Sequence, residues 1–255
     1  MIRRQILYFF GALRFFTRLP IPSSIGHSSE ELNHASRYFS WVGLVVGALA
    51  VVSYDVARLV LPPSLALFVS MAVSLLVTGA FHEDGFIDCA DGFGGGWEKS
   101  QILTIMKDSR VGSFGALAAI FMILGKFLAL KELPPNLVPT ALLVAHPLSR
   151  FCSVFLIFWL DYVREDQTSR SKPLAQRMSR VELLVAAIGG FAPVVLLSPG
   201  MIGVTFALSV ITTISMIRFF TKRIGGYTGD CLGAVQQLTE LSIYFGLAGA
   251  LWTSI

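Results

Sequence analysis

Charge is scarce in this chain of 255 residues. Asp, Glu, Lys and Arg make up 14% of it, against 54% hydrophobic residues, where an ordinary soluble domain carries about 25% charge. Mean hydropathy is +0.69. So few charges cannot cover the apolar surface of a soluble domain of this size, which excludes a soluble enzyme and a disordered chain. Cysteine is scarce too, with only Cys89, Cys152 and Cys231. Their spacing suits neither a zinc site nor a redox pair and excludes a disulfide-stapled secreted domain; they read as small packing residues. No basic run with interleaved aromatics is present. The net charge of +4 and pI of about 9.1 therefore speak against a nucleic-acid partner and for the surplus of Lys and Arg found in cytoplasmic loops of membrane proteins. The chain also lacks internal repeats and low-complexity segments.

Long apolar runs, by contrast, are plentiful. Seven stretches approach the roughly 20 residues needed to cross a bilayer: Ser40–Leu61, Ser64–Phe81, Ser113–Leu130, Leu137–Leu160, Val181–Leu197, Met201–Phe219 and Leu232–Ile255. The second and fifth are short, and the last opens with Gln236, Gln237 and Glu240, as if it began in a protein-lined or wet region. Basic residues gather in alternate connections. Arg3, Arg4, Arg14, Arg18 and Arg37 precede the first span, and Lys99, Lys107 and Arg110 lie in 82–112. Arg164, Arg170, Lys172, Arg177 and Arg180 lie in 161–180, and Arg218, Lys222 and Arg223 in 218–231. The opposite connections contain only Lys131. The positive-inside rule then puts the N-terminus and the long polar loops in the cytoplasm and the C-terminus outside. In the first 18 residues Arg3, Arg4, Arg14 and Arg18 share one helical face opposite Ile2, Ile6, Phe9, Phe10, Leu13 and Phe16, the pattern of an interfacial helix. Pro20 and Pro22 end it. The expected fold is thus all-α: a polytopic integral membrane helix bundle of about seven transmembrane helices. It forms a single domain over 1–255, with 1–22 an N-terminal interfacial amphipathic helix.

The chemistry concentrates in His82–Gly115. Asp84, Asp88 and Asp91 are spaced i, i+4, i+7 and share one helical face, with Glu83 about 100° away. Like charges stacked this way beside a span repel one another unless a divalent cation neutralises them. Oxygen-only ligands suit Mg²⁺, Mn²⁺ or Ca²⁺, and Mg²⁺ characteristically combines one or two carboxylates with substrate phosphates. The alternative is a solvated helix end whose acids pair with Lys99, Lys107 and Arg110. A break is expected at Gly92, Gly94, Gly95 and Gly96, either a plain connector or a loop whose N–H groups approach phosphate. Lys107 and Arg110 can clamp phosphate oxygens, and Asp108 can ligate metal or act as base; ordinary juxtamembrane charge is the competing reading. Downstream, Gly225, Gly226 and Gly229 form a turn before Asp230, which either caps the last helix or faces the carboxylates, with Lys222 or Arg223 on phosphate. Glu240 is an acid inside a span. His146 and Arg150 are i, i+4, and Arg150 either reaches the site or pairs with an acid. Asp55 and Arg58 pair with each other, Lys126 is buried or snorkelling, and His27 and His34 are surface residues.

The runs HEDGFIDCADGFGGG and MKDSRVGSFG, with the early FFTRLP and the late GGYTGDCLGA, resemble the cobalamin synthase family, the adenosylcobinamide-GDP ribazoletransferases. The resemblance covers about residues 15 to 240 in order and spacing. It implies a membrane-embedded, Mg²⁺-dependent transferase of the bacterial inner membrane, acting late in vitamin B12 assembly. Such an enzyme joins adenosylcobinamide-GDP to α-ribazole, or α-ribazole 5′-phosphate, and releases GMP. Its motifs carry catalytic and metal roles to Asp84, Asp88 and Asp91, with Glu83 and Asp230 as further metal ligands and Asp108 as a catalytic carboxylate. They carry phosphate or substrate binding to Lys107, Ser109 and Arg110, and to Gly226, Thr228 and Gly229, with Arg150, Lys222 and Arg223 as basic candidates. Ser40 stands where the family often has Pro, and Gln236–Gln237 where some relatives carry acid, so the glutamines are not counted as ligands. The expected partners are the two substrates and the bilayer, with a homo-oligomer or a complex with other late cobalamin-assembly enzymes left open. Two other readings remain: another Mg²⁺-dependent membrane transferase of the CDP-alcohol phosphotransferase or prenyltransferase type, and a transporter, which would place its acids at the midplane and show repeats.

Overall fold

A computed structural model of the chain describes residues 2–22, 24–25, 29–163 and 178–253. Arg164, Arg170, Lys172, Arg177 and His27 lie outside the described residues. Eleven α-helices are present among those described: α1 Ile2–Phe16, α2 Ser29–Ala35, α3 Phe39–Ala57, α4 Pro63–Thr78, α5 Phe81–Gly95, α6 Lys99–Ile105, α7 Ser113–Lys131, α8 Val138–Trp159, α9 Arg180–Phe191, α10 Pro199–Ile224 and α11 Gly229–Trp252. Among the described residues there is no strand, only an isolated bridge between Tyr162 and Tyr227.

Four helical stretches are long and apolar enough to cross a membrane: Glu31–Ala57, Ser113–Lys131, Val138–Trp159 and Pro199–Ile224. A fifth exists if α4 and α5, bent by 86°, are taken as one broken span. The expected membrane helix bundle is thus present, and four or five of the expected spans pass on length and composition. Helix α9 has 12 residues and continues into the 3₁₀ turn Ala192–Leu196, together about 28 Å at 1.5 and 2.0 Å per residue, close to a 30 Å core. Helix α11 is long enough, but its first three turns hold Asp230, Gln236, Gln237 and Glu240. The expectation that it begins in a protein-lined region holds: Gln236, Gln237 and Glu240 are all buried.

Helix α8 is the central element and the most enclosed. It packs against α3 backbone to backbone. A Cβ on Gly43 would lie 2.6 Å from Pro147 Cα, and one on Gly47 would lie 3.2 Å from Leu142 O. Small residues four apart permit this close crossing of apolar helices, where dispersion and not water drives association. Helix α10 lies at the periphery and exposes Phe206, Ile211 and Ile214, a surface suited to lipid. In α1, Ala12, Leu13 and Phe16 are buried while Arg3 and Arg4 are exposed; Ile6, Leu7 and Phe10 are exposed too.

The bend before α5 sets up the site. Gly79 (φ 65°) and Ala80 (φ 57°) both adopt left-handed backbone, which ends α4 and redirects the chain. For Ala80 that conformation costs about 1 kcal/mol. The preceding segment braces it: Arg18 N donates to Val77 O at 2.7 Å, and the Arg18 guanidinium lies where a Cβ on Gly79 would stand.

Candidate active site

Helix α5 lies between α11 and α7. A Cβ on Gly85 would come within 3.0 Å of Asp230 Cα, and one on Gly233 within 2.7 Å of His82 O, so α5 and α11 touch through their backbones. One turn further on, Cys89 of α5 and Cys231 of α11 are both buried. The three aspartates therefore sit on a helix walled in on two sides, and their surroundings differ. Asp84 is exposed and Asp88 half-buried. Asp91 is buried, and its carboxylate accepts from Gly112 N at 2.7 Å and Gly115 N at 2.8 Å. It thereby caps the N-terminus of α7 from a neighbouring helix, satisfying amides with no partner within α7 and placing negative charge at the positive end of its dipole.

Glu83 is directed away from Asp84. Its Oε1 accepts from Gln237 Nε2 at 2.8 Å in the interior. Asp230 lies in the first turn of α11, half-buried, where its charge also suits the helix dipole. It is not the cap, as the sequence allowed. Thr228, fully buried, takes that role: its Oγ1 accepts from Cys231 N at 3.4 Å and donates to Asp230 Oδ2 at 3.3 Å. Gly226 packs against Asp161, whose O would lie 2.2 Å from a Cβ there, and Gly229 is exposed. The open part of the site is therefore made by Asp84 and Asp88 on α5 and Asp230 and Gly229 at the start of α11.

The expected break at the glycines is not where the helix ends. Helix α5 runs through Gly92, Gly94 and Gly95. Gly92 admits the side chain of Met106, just past α6, and Gly94 the ring of Phe114 of α7. These glycines serve close helix packing; the turn comes at Gly96, whose O accepts from Arg223 Nη2 at 2.8 Å. The Arg223 guanidinium also lies 5.7 Å from the Phe93 ring centroid and 5.8 Å from that of Phe219. Arg223 thus pins the end of α5, while Lys222 stays exposed.

Lys107, Ser109 and Arg110 are exposed in the connection from α6 to α7. Arg110 pairs with Asp108 in two-pronged fashion: Nε donates to Oδ1 at 3.0 Å and Nη2 to Oδ2 at 2.6 Å, with 87% of the Arg110 side chain exposed. Hydrogen bonds from the Arg110 side chain and backbone N–H hold the Asp108 carboxyl down to about 2. It is ionised near neutral pH and is, in this pairing, a weak proton acceptor.

Arg150 does not reach this open face. It is 1% exposed, donates from Nη1 to His146 O at 2.9 Å, and lies over the Phe39 ring. It belongs to an interior polar group with Lys126, His146, Gln236, Gln237 and Glu240. The i, i+4 spacing of His146 and Arg150, the acid within the last span and the glutamines at its start are visible in the sequence; that the glutamines join these groups is not.

Among the described residues no three His, Cys, Asp or Glu side chains form a ready-made metal cage. The donor chemistry still fits Mg²⁺, which takes one or two carboxylates and fills its remaining positions with water and substrate phosphate. Asp84 and Asp88, one turn apart on the open side of α5, supply that kind of set.

Residues 8–248 match the family model described as cobalamin-5-phosphate synthase. A protein of Shewanella woodyi named adenosylcobinamide-GDP ribazoletransferase is 46% identical over 254 residues, covering 98% of each chain. One of the same name from Shewanella frigidimarina is 46% identical over 244 residues, 94% of each chain. A third, from Vibrio cholerae, is 44% identical over 246 residues, covering 96% of this chain and 94% of its own. No solved structure matches.

Proposed function

The chain belongs to the cobalamin-5-phosphate synthase family, and from that premise we propose that it transfers the adenosylcobinamide phosphate moiety of adenosylcobinamide-GDP to α-ribazole, or α-ribazole 5′-phosphate, releasing GMP. The observation that carries the reading is the pair of outward carboxylates, Asp84 and Asp88, on a helix held against α11 and α7. A free ribose hydroxyl of the ribazole, not the 5′ oxygen that is already esterified in α-ribazole 5′-phosphate, attacks the phosphorus linked to cobinamide; a P–O bond forms there, and the bond to the GMP oxygen breaks. Asp84 or Asp88 takes the hydroxyl proton. Asp84 and Asp88, with Asp230, are the residues that would hold Mg²⁺, which supplies charge neutralisation on the diphosphate when bound. Lys107 and Arg110 meet phosphate oxygens, and the exposed Arg110 has the planar donor pair suited to them. When Arg110 turns to substrate, Asp108 loses the bonds that keep it so acidic.

A direct test is incubation of the purified protein with adenosylcobinamide-GDP, α-ribazole and Mg²⁺, following corrinoids by chromatography. The reading predicts a cobalamin product and GMP; unchanged corrinoid would refute it. Arg110 gives a narrower prediction. Arg110→Ala should raise the KM for the GDP-activated corrinoid by about 10- to 100-fold, as for a lost charged hydrogen bond, and leave ribazole KM unchanged. Arg110→Lys should fall between. Selective weakening of ribazole would move Arg110 to the acceptor pocket.

We place the enzyme in the bacterial inner membrane with its N-terminus and the α5–α7 face in the cytoplasm, on the distribution of Lys and Arg. Cysteines introduced at positions 95 and 199 should label from opposite sides; labelling from one side would overturn this orientation.

A further inference from the structure

Behind the open face, α5 meets a polar network that the transfer chemistry above leaves unused. Lys126 Nζ of α7 donates to Gln237 Oε1 at 2.6 Å and Glu240 Oε1 at 2.8 Å, both on α11. Gln237 Nε2 donates to Glu83 Oε1 of α5 at 2.8 Å and to Gln236 Oε1 at 2.7 Å. Gln236 Nε2 reaches Ser149 Oγ of α8 at 3.0 Å. Hydrogen bonds thus run unbroken across α5, α11, α7 and α8. Lys126 lies about 20 Å along α7 from Ser113 at 1.5 Å per residue, deep in an apolar helix, yet is 7% exposed.

A buried ion pair is a poor way to hold helices together, since apolar side chains of equal size do so at least as well. What it adds is direction: the amide of Gln237 is fixed by Lys126 on one side and Gln236 on the other, and so presents its N–H to Glu83. Helix α5 needs that. The 86° bend cuts it off from α4, so its own chain does not set its rotation. Its last turns are fixed by Asp91 on α7, and its first turn by Glu83. With an acid anchored at each end, the face bearing Asp84 and Asp88 is turned outward. Beside the network, Glu83, Lys126 and His146 line a cavity of about 30 Å³ together with Ser70 and Ser74 of α4, room for one or two waters. Glu83 Oε2 and His146 Nε2 are buried and have no hydrogen-bond partner among the described residues, so water there would complete the set.

We propose that Lys126, Gln237 and Glu240 are positioning residues: with water in the adjoining cavity they fix Glu83 and, through it, the rotation of α5 that aims Asp84 and Asp88 at the substrate. This rests on the reading of α5 as the catalytic helix. The test compares wild type, Gln237→Leu and the double variant Lys126→Met/Glu240→Met in detergent, measuring thermal unfolding, kcat and both KM values. The double variant removes both charges of the pair, so neither is left without the other, and buried Arg150 keeps Glu83 as its opposite charge. The expected result is near-normal unfolding, unchanged KM values and a kcat lowered by about 10- to 100-fold, the scale of a misplacement near 1 Å. Wild-type kcat in both variants at normal stability would overturn the proposal. A second readout needs no turnover: a cysteine introduced by Asp84→Cys should react with a water-soluble maleimide at a rate that Gln237→Leu changes several-fold, and equal rates would also overturn it. If the wild type itself makes no cobalamin, the functional reading fails, while the labelling rates still decide whether the network sets the rotation of α5.

Discussion

Asp84→Asn and Asp88→Asn should each lower turnover by about 10²-fold or more while leaving thermal unfolding unchanged. A carboxylate that holds the metal or stabilises transferring charge contributes on that scale, and neither side chain is part of the packed interior: Asp84 is exposed and Asp88 half-buried. Asp91→Asn should behave differently although it belongs to the same i, i+4, i+7 series. Its two oxygens accept from the Gly112 and Gly115 amides, and an amide side chain retains one acceptor and brings a donor against an N–H. A loss of about 2 kcal/mol is expected for a buried charged hydrogen bond of this kind, with activity falling alongside stability. Unfolding curves and kcat measured on the three variants check this. Equal unfolding with equal loss of activity in all three would return Asp91 to the open face; near-normal rates in Asp84→Asn and Asp88→Asn would make the outward carboxylates a surface cluster.

Gly233→Val should disable the protein by a different route. A Cβ at this position would lie 2.7 Å from His82 O and 3.3 Å from Gly85 Cα. Backbone, not a flexible side chain, occupies the space, so α5 and α11 must separate. Overpacking of this sort costs about 3 kcal/mol, a drop in melting temperature of roughly 6–12 °C for a chain of this size, and it displaces the first turn of α5. Gly203→Val in α10, where nothing lies within 4 Å of a built Cβ, is the control and should leave unfolding nearly unchanged. Differential scanning fluorimetry in detergent separates the two. Gly233→Val at wild-type stability would mean that α5 and α11 do not meet as described.

The membrane character and the main spans were legible because length and apolarity are direct signals: α3, α7, α8 and α10 each fall within a few residues of the expected stretch. The aspartate helix was legible from spacing alone, and the protein-lined polar start of α11 from Gln236, Gln237 and Glu240. Apolar composition did not report that the fifth stretch leaves the α-helix at Phe191 and passes into a 3₁₀ turn. The bend ahead of α5 was hidden because one of its two left-handed residues is Ala80, a residue with no turn signal; tertiary bracing by Arg18 overrides its preference. Glycines 92 and 94 look like a helix break in one dimension, and only the approach of Met106 and Phe114 makes them packing positions. The same limit applies to function. Periodicity groups Asp91 with Asp84 and Asp88, but the amides that bind it come from α7. It separates Glu83 by 100° without saying that the other side is occupied by Gln237. Arg150 looked available for phosphate because its neighbours Phe39 and Gly43 lie over 100 residues away in sequence.

The central claim is that the phosphate attached to cobinamide moves to a ribazole hydroxyl at the outward face of α5. Adenosylcobinamide-GDP labelled with ³²P at the phosphorus next to cobinamide, incubated with α-ribazole, Mg²⁺ and the purified protein, tests it most directly. The account predicts that the label passes into the cobalamin product and none into GMP, and that Asp88→Asn reduces this transfer by about 10²-fold. Label recovered in GMP, or full transfer by Asp88→Asn, would contradict it.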